Sequence, residues 1–76
     1  MTLSYALAMP TSVSLKVYDL RGRVVNTLVA GPKPAGEHAV VWEGVDVQGR
    51  AVGSGVYFVR FEAGEIAQSQ RIVLIR

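Results

Sequence analysis

An all-β sandwich is the fold class that this sequence predicts, and three observations predict it. Apolar and polar residues alternate with period two along most of the chain. Turn-forming residues interrupt the alternation roughly every 8–12 residues, the spacing of short strands in stacked sheets. No segment carries an amphipathic helical stripe: β-branched residues and glycine are too frequent, and Pro10, Pro32 and Pro34 fall between the apolar runs. About six or seven antiparallel strands are therefore expected.

In the first strand Leu3, Tyr5 and Leu7 face inward and Thr2, Ser4 and Ala6 outward. In the second, Val13, Leu15 and Val17 alternate with Ser14, Lys16 and Tyr18. The third, "RVVNTLV" (23–29), is apolar on both faces. "AGPKPAG" (30–36), with two prolines and two glycines, reads as the longest break and as a connection from one sheet to the other. In the next strand His38, Val40 and Trp42 point inward, and in the one after it Tyr57, Val59 and Phe61. The last segment, "AQSQRIVLIR" (67–76), is again apolar on both faces at its end, with Ile72 and Leu74 expected inward.

The chain says one thing twice. "DLRGRVV" (19–25) and "DVQGRAV" (46–52) share Asp-x-x-Gly-Arg-x-Val. Asp at the first position and Gly at the fourth is the preference of a type I turn closed by a left-handed residue, the hairpin with a G1 bulge. The Asp carboxylate accepts from a backbone N–H two residues on, and Gly takes the positive φ that Arg or Val resists. Asp19, Gly22, Asp46 and Gly49 are thus read as structural turn residues, and "EAGE" (62–65) as a weaker third turn. Two copies do not make a solenoid.

Composition narrows the function. At 76 residues the chain reads as a single domain, 1–76, and one of this size buries only about 60% of its unfolded surface. Half of the residues are hydrophobic and 18% charged, which supports a packed core. Cysteine is absent, so neither a disulfide nor a thiolate is available. The net charge is +2, and Lys16, Arg21, Arg23, Lys33, Arg50, Arg60, Arg71 and Arg76 are dispersed, unlike the clustered basic face of a nucleic-acid binder. No apolar run approaches the roughly 18 residues of a membrane-spanning helix. The opening "MTLSYALAMP" lacks the basic region and length of a signal peptide.

No residue set specifies catalysis or a cofactor. Asp19, Glu43 and Asp46 are the candidate calcium ligands, but a calcium loop places carboxylates at alternate positions, and Asp46 is followed by Val47 and Gln48. Turn capping is the simpler role. His38, the sole histidine, cannot build a zinc site alone. Ser54 lies in "VGSGVY", not in a nucleophile elbow, so His38 reads as a core-edge residue with a backbone hydrogen bond. Trp42 and Tyr57 read as core. Tyr18 and Phe58, on the opposite register, are the candidate exposed aromatic patch for a partner or a carbohydrate. Gly44, Gly49, Gly53 and Gly55 serve tight turns, since no Gly-Lys-Ser/Thr motif follows them.

Four stretches carry a resemblance: "LSYAL" (3–7), "VSLKVYDLRGRVVNTLV" (13–29), "AGEHAVVWEGVDVQGRAVGSGVYFVRFEAG" (35–64) and "RIVLIR" (71–76). Together they resemble the immunoglobulin-like domain shared by the flagellar hook-capping protein and the C-terminal sorting domains of type IX secretion substrates. The resemblance implies a seven-stranded immunoglobulin-like sandwich without enzymatic activity, cofactor or metal. In the sorting branch it implies the last domain of a larger exported protein, delivered through the periplasm of a Gram-negative bacterium to the cell surface or medium. Its partners would be secretion or cell-envelope proteins, with peripheral association at the outer membrane and neither nucleic acid nor a small-molecule substrate. The residues expected to meet the partner are Arg71, Ile72, Val73, Leu74, Ile75 and Arg76. In the hook-cap branch it implies a structural module packed in an assembly.

Overall fold

The computed structural model describes residues 1–76. Six strands form: β1 (Thr2–Leu7), β2 (Thr11–Tyr18), β3 (Val24–Lys33), β4 (Gly36–Val41), β5 (Gly55–Ala63) and β6 (Ile66–Leu74). They make two antiparallel sheets, a small one of β1 and β4 and a large one in the order β3-β2-β5-β6. The immunoglobulin-like sandwich is present with six strands in place of the expected seven.

The period-two reading holds along β2, where Val13, Leu15 and Val17 are buried beneath the small sheet. Val59 and Tyr57 come from β5 and Ile72 from β6, in register across the ladder. The small sheet contributes Leu7, and Trp42 follows directly after β4. Each aliphatic side chain taken fully out of water contributes about 1.5–3 kcal/mol, so this short list supplies most of the driving force. Ile72 is buried and Leu74 half-buried against the core, as expected.

Two expectations about connections are corrected. Residues 30–33 do not leave the sheet: β3 continues through Pro32 to Lys33, paired with Thr11 and Ser12. Pro32 is tolerated because β3 is an edge strand, where a missing N–H breaks no ladder on the solvent side. The passage to the small sheet is made by Pro34 and Ala35 alone. The longest break is instead 42–54, which returns the chain from the small sheet to the middle of the large one. The third turn falls one residue later than "EAGE" suggests: Ala63 pairs with Ile66, and Gly64 at φ +58° leads the two-residue turn, the glycine-first pattern of a type II′ hairpin.

One carbonyl anchors the long connection. Val45 O accepts the Trp42 indole N–H at 2.9 Å and the Asn26 side-chain amide at 2.9 Å. Asn26 sits in β3 and Trp42 at the end of β4, so one acceptor draws together the large sheet, the small sheet and the loop. Val47 N–H adds a bond to Val25 O at 3.1 Å. The Trp42 ring then lies edge-on to Tyr57, centroids 5.4 Å apart, a geometry that aromatic pairs favour.

Because the acceptor is shared, losing one donor leaves it satisfied and losing both orphans it. Trp42→Phe and Asn26→Ala are therefore expected to be non-additive, the double variant falling about 1 kcal/mol below the sum of the singles in urea denaturation.

Candidate functional site: the turn loops and the terminal strand

The two Asp-x-x-Gly-Arg stretches fold alike. Asp19 Oδ1 accepts from Arg21 N–H at 2.9 Å and Arg23 N–H at 3.0 Å, while Gly22 N–H closes the turn onto Asp19 O at 3.0 Å. Asp46 Oδ1 accepts from Gln48 and Arg50 at 2.9 and 3.0 Å, and Gly49 N–H donates to Asp46 O at 2.9 Å. Gly22 and Gly49 share φ +81°, in the left-handed region that glycine occupies without the Cβ penalty. Each copy also carries something the turn pattern alone does not announce. The Nε–H of Arg23 and of Arg50 donates to the second carboxylate oxygen of its own Asp at 3.3 Å. The repeated Arg belongs to the turn as its counter-ion.

These contacts engage both oxygens of each carboxylate in capping its turn. No group of three or more His, Cys, Asp or Glu side chains stands together in the molecule. Asp19 and Asp46 both titrate below the ordinary 3.8. The chief cause is the backbone N–H of Arg23 or Arg50; partial desolvation works the other way, and the second backbone N–H and the guanidinium add to the lowering.

The expected partner-binding segment divides by face. Ile72 is a core residue at 8% exposure, whereas Val73 and Ile75 are outward, at 51% and 84%. Arg71 is exposed opposite Phe58 on the outer face of the large sheet. Arg76 is clasped by the 42–54 connection. Its backbone N–H donates to Ser54 Oγ at 2.9 Å and its Nε–H to Val52 O at 2.6 Å, and its terminal guanidinium nitrogen donates to Gly44 O. Gly44, at φ +71°, lies under that guanidinium with Leu74 Cδ2 3.2 Å from where a Cβ would be. Nothing in the pattern of "IVLIR" signals this latch, because its partners are three backbone or hydroxyl oxygens in a distant loop.

The remaining candidates fall as follows. His38 Nε2 stands 2.8 Å from Pro34 O and its ring stacks on Tyr5, centroids 5.1 Å apart. Ser54 is engaged with Arg76. The two are thus held by different partners and form no dyad. Tyr18 and Phe58 face each other across β2 and β5 on the outer side of the large sheet, both half-buried. Asn26 was legible in principle as a lone amide inside the apolar "VVNTLV", since a polar side chain there needs a partner.

Two facing antiparallel sheets with a Trp-centred core define the class as an immunoglobulin-like β sandwich. The comparisons place it more closely. The family model described as the FlgD Ig-like domain matches residues 1–65, and the chain belongs to that family. The crystal structure of FlgD from P. aeruginosa superposes with a TM-score of 0.70 at 27% identity, over 95% of this chain and 57% of that one. The chain thus spans little more than half the length of that protein. No curated protein matches it.

A depressed carboxylate pKa stabilises the fold above the unfolded value and loses that contribution as pH falls through the folded one. The thermal midpoint is accordingly expected to drop between pH 5 and pH 2. In Asp19→Asn/Asp46→Asn the midpoint at pH 6 should be lower and the fall across that window smaller, measured by circular dichroism.

Proposed function

We propose that this domain is a non-catalytic structural module that packs against neighbouring proteins in an extracellular assembly of the flagellar hook-cap kind. The observation that carries the proposal is the family match over residues 1–65 together with the fit to FlgD across 95% of the chain. The build of the domain suits such a role. Polar side chains hold its turns, the Val45 junction and the Arg76 latch, and its surface exposes apolar residues, among them Leu20, Val47, Val73 and Ile75. The partners would be other proteins of the cell envelope, and the setting outside the cytoplasm.

The test is a chimera. Replacing the corresponding immunoglobulin-like part of P. aeruginosa FlgD with residues 1–76 is expected to restore hooks, counted by electron microscopy, to a strain lacking FlgD. Chimera that accumulates as folded protein yet yields no more hooks than FlgD with the domain deleted would refute the proposal.

A second reading, a C-terminal address for type IX secretion, is favoured by one feature: Val73 and Ile75 offer outward apolar side chains beside the strand end. Deleting 71–76 cannot test it cleanly, because Ile72 and the Arg76 latch would go too. Val73→Ser/Ile75→Ser leaves both in place. If the segment is an address, this variant folds normally and loses at least tenfold in export of a fused fluorescent reporter in a type IX-secreting host. Undiminished export would remove these side chains from recognition.

A further inference from the structure

The large sheet turns one face to the core and the other away from the small sheet. On that outer face the register brings Val24, Tyr18, Phe58 and Arg71 into one row, one residue from each strand. Three strand spacings of about 4.8 Å make the row about 14 Å across. Two residues along the strands to one side, Val56 pairs with Val73; to the other side, Lys16 pairs with Arg60. Val24 and Val73 are exposed, and Tyr18, Phe58 and Val56 are half-buried.

Charge is unevenly placed around this band. The ion pairs of the molecule are Arg23–Asp19, Arg50–Asp46 and Arg60–Glu62, so Lys16 and Arg71 have no counter-ion. Of the six acidic residues only Glu62 stands in a strand of the large sheet, and Arg60 holds it at 3.2 Å. An aromatic and aliphatic band thus lies between two free cations, Lys16 on its flank and Arg71 at its end.

We propose that this outer face docks an amphipathic helix of a partner protein whose apolar stripe is bordered by Asp or Glu. The stripe lies on Tyr18, Phe58 and Val73, one carboxylate on its flank meets Lys16, and another past its end meets Arg71. Three features select this occupant. The face offers side chains and no free main chain, because its two central strands are paired on both sides; the occupant must satisfy its own backbone, as a helix does. A band of about 14 Å takes two to three turns of helix at about 5.4 Å per turn. The free cations favour carboxylates on the border and repel Lys or Arg there. The face looks away from the small sheet, so a further strand joining either sheet at its edge leaves it open. The inference deepens the assembly reading and rests on it for the partner's being a protein of that assembly.

The test titrates the isotope-labelled domain with a hydrocarbon-stapled helical peptide of about three turns, with leucine along one stripe, glutamate bordering it and alanine elsewhere. The expected result is saturable NMR shifts centred on Tyr18, Phe58, Arg71 and Val73. Binding should be about tenfold tighter than to the same peptide with lysine in place of glutamate, the scale of two surface charge pairs. In Lys16→Glu/Arg71→Glu the preference should invert, which a damaged fold could not produce. Tyr18→Thr/Phe58→Thr should weaken both peptides about tenfold while the resonances of Leu15 and Val59 on the inner face stay in place. Absence of shifts on the outer face of the folded domain, or equal binding of the two peptides, would overturn the proposal. So would Tyr18 and Phe58 shifts that grow with the domain's own concentration alongside a dimer in sedimentation, which would make the occupant a second copy. Saturation of these two rings by a neutral oligosaccharide such as cellohexaose, and not by the peptide, would overturn it as well. Failed peptide binding leaves the hook chimera unaffected, and a failed chimera leaves the peptide result intact, so the two proposals fall separately.

Discussion

The carbonyl of Val45 receives the Trp42 indole N–H and the Asn26 amide, and the rest of the sandwich depends on that junction. Fixing a residue's backbone costs about 1–2 kcal/mol, and residues 42–54 contribute few side chains to the core in return. Without specific anchors the connection would stay loose, and Trp42, at 1% exposure, would lose its lid. The anchors are polar and converge from every side: Asn26 from the large sheet, Val47 N–H to Val25 O, and Arg76 closing on Gly44 and Val52 from the far end of the chain. No buried side-chain nitrogen or oxygen is left without a partner. A small domain with a short list of core residues therefore holds its least regular segment through hydrogen bonds as much as through apolar burial.

Strands with one buried face were legible in the sequence because alternation is a direct consequence of the pleat. β2 and β5 show it plainly, and the Asp-x-x-Gly turns were legible because few residue combinations satisfy that backbone. The harder parts were set by partners distant in the chain. Pro32 and Pro34 read as a break, yet Pro32 lies inside β3, since the sequence does not reveal which strand will have a solvent edge. The Arg76 latch depends on oxygens of Gly44, Val52 and Ser54, and no periodicity encodes them. The alternation allowed six or seven strands, and six form. Six runs of alternation are present, and the seventh strand came from the resemblance and has no counterpart among these residues.

An exposed strand edge invites pairing with other chains. The edges of the large sheet carry deterrents: β3 bears Pro32 and Lys33, and β6 ends beside the Arg76 latch.

The central claim, that the Val45 junction holds the sandwich as a whole, is tested most directly by hydrogen exchange at the Trp42 indole N–H. The account predicts exchange only through global unfolding, so its free energy should equal that of the slowest β2 and β5 amides and that from urea denaturation. Indole exchange at loop-like rates while Leu15 and Val59 remain protected would show that the connection opens on its own, and would contradict the account.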